Sequence, residues 1–249
     1  MTDNELRDIG WWSGGVTSAV AIKKHLEQGN KTLIFFCETG NHHHDNQRFL
    51  KACEKWYGQE IITLRSNRFK NVEETIRYSK YINGPDGAKC TRYLKKDLRI
   101  ALEKILPYRK QIFGFEFEQK QILRAKRFEE QYPASNGTFP LIEAQLSKLD
   151  CMDLLTKEGI ELPAMYRLGY SNANCIGCIK GGMGYWNKIR VDFPEVFAAF
   201  AKIEREINGA ILRQKNKRIY LDELDPSAGR HESIALPECG VLCPVEFLE

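Results

Sequence analysis

The sequence predicts a doubly wound, mostly parallel α/β sheet followed by a helical, cysteine-containing C-terminal part. Short apolar runs alternate with amphipathic stretches through the first two-thirds of the chain. That rhythm needs crossover helices, and hence a sheet covered on both faces. Three polar loops (residues 13–18, residues 38–40 and the charged stretch after Gly114) each follow an apolar run. They therefore share the carboxyl edge of such a sheet, where ligands bind. Beyond residue 145 the strand-like runs give way to helical patterns.

Taken in order, residues 9–12 read as the first strand and about 17–28 as the first helix. Residues 31–38 (Lys-Thr-Leu-Ile-Phe-Phe-Cys-Glu) form the second strand, 45–57 a helix, 59–64 the third strand and 71–79 another helix. The turn-rich stretch 83–87 is a loop. Leu94, Leu98, Ala101, Leu102 and Ile105 recur at helical spacing. Residues 111–115 read as the fourth strand, with a charged helix after it. Val196, Phe200, Ile203 and Ile207 form a further apolar stripe, and from about Tyr220 the chain reads as a tail laid over the body. The expected division is an α/β core at 1–145 and a helical part at 146–249 packed on it.

With 249 residues, 43% of them apolar, the chain can bury a substantial core. The net charge of +4 calls for no polyanionic partner by itself, although basic residues cluster at Arg109-Lys110, around Arg124 and Arg127, and at 213–218. No run approaches the roughly 18 apolar residues of a membrane span. The polar start of the sequence does not resemble a secretory signal, so a cytoplasmic protein without membrane contact is expected. Eight cysteines in that setting point to metal or redox chemistry rather than disulfides. Cys37, Cys53 and Cys151 lie in apolar patterns and read as buried.

The segment Ser13-Gly14-Gly15-Val16-Thr17-Ser18 carries the strongest chemical signal. Two glycines at a strand-to-helix turn let backbone approach an anion, and the helix start offers unpaired N–H groups. The spacing matches neither a Walker loop nor a dinucleotide-binding turn. Cys175-x-x-Cys178 is a turn that can present two thiolates to one zinc ion or iron–sulfur cluster. The run His42-His43-His44 is not read as a metal site, because adjacent residues cannot all face one ion. One of the three is expected to touch the ligand. Lys23 and His25 read as helix surface, and Trp11 and Trp12 as strand packing, with Trp12 also a candidate for the pocket wall.

Taken together, the motifs resemble the phosphoadenosine phosphosulfate and adenylyl sulfate reductases within the PP-loop, adenine nucleotide α-hydrolase-like superfamily. The loop at 13–18 resembles the PP-loop itself, and Glu38-Thr39-Gly40 the acid-Thr-Gly that ends the second strand. Cys90-Thr91 with Lys95 resembles the Cys-Thr…Lys segment that opens a helix. Gly114, Glu116, Glu118, Arg124 and Arg127 resemble the Gly…Glu…Arg loop after the fourth strand. Pro140-Leu141, Leu168-Gly169-Tyr170 and Cys175-Ile176-Gly177-Cys178 follow in family order, and Glu238-Cys239-Gly240 resembles the reductase tail. Three positions depart from the pattern. Thr17 stands where many members carry Asp, Cys90 stands alone where cluster-bearing members have a Cys-Cys pair, and Leu242 replaces a common His.

The resemblance implies a Rossmann-like sheet of PP-loop type and an adenine nucleotide as ligand. Nucleotide-binding residues would be Ser13, Gly14, Gly15, Thr17, Ser18, Glu38, Thr39, Gly40, Lys95, Gly114, Arg124 and Arg127. It implies Cys239 as a nucleophile toward a sulfonucleotide, with sulfite released by an external thiol such as that of a reductant protein. It implies a 4Fe-4S cluster, or alternatively zinc, on Cys90, Cys175, Cys178 and Cys243. In the alternative assignment Cys239 is itself the fourth ligand. Two other activities stay open: ATP- and magnesium-dependent sulfur insertion into nucleic acid, and a nucleotide-binding module without chemistry.

Overall fold

The structure, a computed structural model, describes residues 6–84, 87–215 and 217–231. Five strands make one parallel sheet: β1 (Arg7–Trp12), β2 (Thr32–Glu38), β3 (Ile61–Arg65), β4 (Tyr108–Ile112) and β5 (Gly137–Thr138). Their order is β3-β2-β1-β4-β5. The chain winds outward from β1 through β2 and β3, then returns to lay β4 against the other side of β1. The strand order therefore reverses between β1 and β4, the crevice where such sheets bind ligands. Gly10 is paired with Ile34 on one side and Ile112 on the other, so β1 is the centre of the sheet.

Helices α1 (Val16–Glu27), α2 (Asn46–Tyr57) and α3 (Val72–Ser79) follow the first three strands. One continuous helical segment then leads into β4: α4 (Lys89–Thr91), a π-helical turn (Arg92–Lys96) and α5 (Asp97–Ile105). Next come α6 (Gln119–Gln131), α7 (Pro140–Glu143), α8 (Lys148–Lys157), α9 (Ala164–Arg167), α10 (Met183–Asp192) and α11 (Pro194–Ile207). A small antiparallel ribbon of β6 (Leu212–Gln214) and β7 (Lys217–Ile219) completes the described elements.

Two apolar cores hold these layers. The first joins Trp12, Ile34, Phe36 and Ile112 of the sheet to Val16 and Val20 of α1, Phe49 of α2 and Met152 and Leu155 of α8. The second contains no residue of the five-stranded sheet among those described. It joins Ile76 of α3 and Leu94 of the π-turn to Trp186, Ile189, Phe200 and Ile203 of α10 and α11. Each large side chain buried this way contributes roughly 1.5–3 kcal/mol of transfer free energy. Side-chain caps fix two of the helix starts: Asn71 Oδ1 accepts from Glu74 N, and Ser147 with Asp150 forms a capping box on α8.

The doubly wound parallel sheet and the helical C-terminal region agree with the sequence reading, as do the buried Cys53 and Cys151 and the α11 stripe. The bounds of the fourth strand are corrected, and two further features were not legible in the sequence. The fourth strand ends at Ile112: Phe113 N still donates to Thr138 O of β5, and Phe115 lies beyond the ladder, stacked on Phe139. The two-residue β5 is too short to leave a periodic signal. The stripe through Leu98, Ala101 and Ile105 does not face the core: Ile105 is 80% exposed while Arg99 is only 9% exposed. The π-turn adds a residue, so the position after Leu94 that faces inward is Arg99 rather than Leu98.

At the amino edge of the sheet, Asp8 is fully buried and accepts hydrogen bonds from His25 Nε2 at 2.7 Å and from Arg109 Nε and Nη2 at 2.9 and 2.7 Å. His25 is thus a core residue, not the helix surface that the sequence suggested, because its partner is supplied by β1. Among the described residues, no helix is long and apolar enough to cross a membrane.

Candidate functional site

The loop after β1 is built to present backbone. Gly14 has φ +83°, a region that favours glycine, and a Cβ there would collide with the Asn46 side chain. Gly15 is the extended N-cap of α1 and makes no side-chain cap, so the first N–H groups of the helix are left to other partners. The Ser18 hydroxyl donates to Gly15 O at 2.9 Å and accepts from Ser13 N at 3.0 Å, which ties the loop to its helix. Gly114, just after β4, faces the same helix start. A Cβ there would lie 2.5 Å from Ser18 Cα and 2.6 Å from Ser18 N, so only glycine lets β4 and α1 close the crevice.

A cavity of about 660 Å³ opens at this point. Ser13, Thr17 and Ser18 line it from the loop, and Lys95, Lys96 and Arg99 from the helical segment before β4. Arg124, Arg127, Phe128 and Tyr132 line it from α6. Lys148 adds a sixth cation, against one lining carboxylate, Glu116, which lies 3.6 Å from Lys148. Arg99 is paired with Glu103 at 3.1 Å. Lys95, Lys96, Arg124 and Arg127 form no ion pair among the described residues. The aromatic wall is preloaded with cations: Arg124 sits 4.4 Å from the Phe115 ring centre, and Arg99 4.9 Å from that of Tyr132. The arrangement can hold a planar base and several anionic oxygens together.

The end of β2 takes a different part. Glu38 accepts from His42 Nδ1 and Gly40 N, both at 2.9 Å. Chiefly through the His42 hydrogen bond, its pKa falls to about 2. Thr39 Oγ1 lies 3.0 Å from Cys175 Sγ, and Ile176 N donates to Asn41 O at 2.7 Å. The turn after β2 is therefore tied to the Cys175–Cys178 turn. Tyr185 closes that turn, its hydroxyl accepting from Cys178 N and donating to Cys175 O. Burial pushes the Cys90 and Cys178 thiols up, and nearby cysteines push them further, so Cys90, Cys175 and Cys178 lie within electrostatic reach of one another. All six described cysteines are free. Three thiols are the donor chemistry of a soft metal. Among the described residues, however, no three His, Cys, Asp or Glu side chains are grouped as a metal site.

Residues 9–181 match the model of the phosphoadenosine phosphosulfate reductase domain. The chain belongs to that family. One curated relative, Uncharacterized protein MJ0066 of Methanocaldococcus jannaschii, is 24% identical over 202 residues, 78% of this chain. The chain spans only 41% of that relative's length. Among solved structures, a phosphoadenylyl-sulfate reductase from Candida auris in complex with phosphate aligns with a TM-score of 0.48 and 13% identity. That alignment covers 66% of this chain and 79% of the other.

Of the residues that the family resemblance marked for nucleotide, Ser13, Thr17, Ser18, Lys95, Gly114, Arg124 and Arg127 line the cleft. Gly14, Gly15, Glu38, Thr39 and Gly40 do not. The two loop glycines shape its rim, and residues 38–40 reach instead toward the cysteine turn. None of His42, His43 and His44 lines the cleft, because His42 is taken by Glu38. Cys37, expected to be simply buried, lines the cleft, and burial raises its pKa to about 11. Trp12 lines the cleft while packed edge-on against Phe36 and tilted against Phe49. Cys239 and Cys243 lie outside the described residues. Sequence reasoning missed Lys96, Arg99, Phe128 and Tyr132. The i, i+4 spacing of Arg124, Phe128 and Tyr132 was a legible signal for one shared helix face.

Proposed function

We propose that the protein is a sulfonucleotide reductase-like enzyme that takes adenylyl sulfate or its 3′-phosphorylated form into the cleft at the β1–β4 crevice. The observation that carries this reading is the concentration of unpaired cations, Lys95, Arg124 and Arg127, around the phosphate-presenting loop and its glycine-closed wall. Ser13, Ser18 and the start of α1 would hold the phosphate, and the cations the sulfate. Positive charge at that spot also favours thiolate over thiol for a cysteine brought there.

The reacting cysteine is Cys239. His231 lines a second cavity of about 710 Å³, whose wall shares Asn172 and Asn174 with the cleft. Seven residues lie between His231 and Cys239, and eight extended steps of chain span up to about 28 Å. The Cys239 thiolate attacks the sulfur of the sulfonucleotide. The sulfur–oxygen bond to the phosphate breaks and the nucleotide leaves with the electron pair, giving a cysteine S-sulfonate. An external thiol then attacks the Cys239 sulfur and forms a disulfide, and sulfite departs with the bonding pair. A second thiol of the reductant regenerates Cys239.

Cys90, Cys175 and Cys178, with Cys243 as the fourth ligand, would hold a 4Fe-4S cluster or zinc. Such a centre would supply a fixed charge beside the Thr39 turn. A reducing compartment such as the cytoplasm suits these free thiols.

A second reading, ATP- and magnesium-dependent sulfur insertion into nucleic acid, is supported by the lining of the cleft itself, where Phe115, Phe128 and Tyr132 stand beside Arg99, Arg124 and Arg127. Anaerobically purified protein, assayed for metal and sulfide, separates the two. Sulfite release from adenylyl sulfate that vanishes in Cys239→Ser supports the first reading. Pyrophosphate release from ATP with Cys239→Ser still active overturns it.

A further inference from the structure

The helical segment from Lys89 to Lys96 has two sides. Thr91, Lys95 and Lys96 look into the cleft. Arg92 and Tyr93 look the other way, toward the loop after β3 and the exposed face of α3. There the Arg68 guanidinium sits 4.2 Å from the Tyr78 ring centre, 5.1 Å from Phe69 and 6.0 Å from Tyr93. Tyr78 is 56% exposed and Arg68 is exposed. Arg68 forms no ion pair among the described residues, and Arg92 has only a loose one, 3.9 Å to Asp97. The carboxylates of α3 are occupied elsewhere, Glu73 by Asn41 and Glu74 by the Lys70 backbone.

An exposed Tyr78 ring beside a half-buried Tyr93, held by the Arg68 guanidinium that has no ion pair among the described residues, is a costly way to finish a surface, since it leaves apolar area and charge in water together. The combination suits a chain that carries flat faces and regular negative charge. We propose that this face binds a single-stranded polynucleotide. Its bases would stack on Tyr78 and Tyr93, and its phosphates would lie on Arg68, Arg92 and Lys95 as the strand crosses the helical segment toward the cleft. An acidic protein offers the charge but not the planar faces, and a duplex hides its faces within its own stack. The inference stands whichever nucleotide chemistry the cleft performs.

The test is fluorescence anisotropy with a fluorescein-labelled single-stranded oligonucleotide of about 20 nucleotides, as DNA and as RNA, titrated with the full chain over a range of salt. The expected result is binding that weakens roughly tenfold or more in Tyr78→Ala and survives in Tyr78→Phe. Arg68→Ala should weaken it too and lower the slope of log affinity against log salt by about one. Binding of AMP in the cleft, read by calorimetry, should stay unchanged in all three variants. Failure of this proposal is thereby distinguishable from failure of the cleft reading. Three results would overturn it: no binding at low salt, alanine variants that bind as the wild type does, or equal competition by a duplex or by polyaspartate.

Discussion

The two ends of the central strands use the same residue types for opposite purposes. At the amino end of β1 and β4, Asp8, His25 and Arg109 close on one another, and the carboxylate is fully buried between the His25 ring and the Arg109 guanidinium. At the carboxyl end, Lys95, Arg124 and Arg127 face a cavity without carboxylate partners among the described residues. Charge matched within the chain is spent on folding. Charge left unmatched around an open crevice is available to a ligand.

The largest expected effect comes from breaking the closed end. Asp8→Ala leaves His25 and Arg109 facing a hole, a change that typically costs roughly 3–5 kcal/mol. Denaturant unfolding should show that loss while the remaining folded protein binds AMP as before. Next comes the open end, where Arg124→Ala should weaken nucleotide binding by about 1.5–3 kcal/mol, some 10- to 100-fold, with the melting temperature unchanged. Equal losses of stability and binding in either variant would dissolve the contrast. Gly114→Ala tests the hinge between the two ends. Its methyl group meets the backbone of Ser18, so stability should fall by about 1–3 kcal/mol and nucleotide affinity with it, as read by melting and calorimetry together.

The smallest effect is a matter of sign. Burial would raise the Asp8 pKa, but hydrogen bonds from Arg109 and His25 outweigh it and hold the group below the usual carboxylate range. Its stabilising contribution is complete above about pH 4 and is lost as pH falls through the lowered value. Glu204, equally buried, meets the backbone N–H groups of Ile211 and Leu221 instead, and burial raises its pKa from 4.5 to about 7. There the folded state keeps a proton that the unfolded chain has released. Stability therefore declines as pH rises from about 4.5 to 7. Glu204→Gln should flatten that slope in unfolding measurements across the same interval, and an unaltered slope would count against the assignment.

What the sequence makes legible follows from how local the cause is. The loop at 13–18 announces itself because glycine spacing at a strand end is local chemistry, and the alternating runs place it on the correct edge. The partners of Asp8 are 17 and 101 residues away in sequence, so nothing near His25 tells it from a surface residue. Phe115 looks like strand because an apolar run does not reveal where a ladder ends, here at the Phe113 N to Thr138 O bond. The tie between Thr39 and Cys175 spans 136 residues and depends on how two loops meet. Arg124 and Arg127 were legible as cations, but Phe128 and Tyr132 beside them were passed over as ordinary helix residues.

The π-turn at Arg92–Lys96 gives the segment a property that substitutions alone would not. A helix that takes in one residue as a π-turn keeps the register of its two flanks. Deleting a single residue of Arg92–Lys96 after Leu94 would restore an ordinary helix with Leu94 and Arg99 four positions apart, both still facing inward. The segment is thus a place where a lineage can gain or lose one residue while Arg99, the sheet and both cores stay as they are.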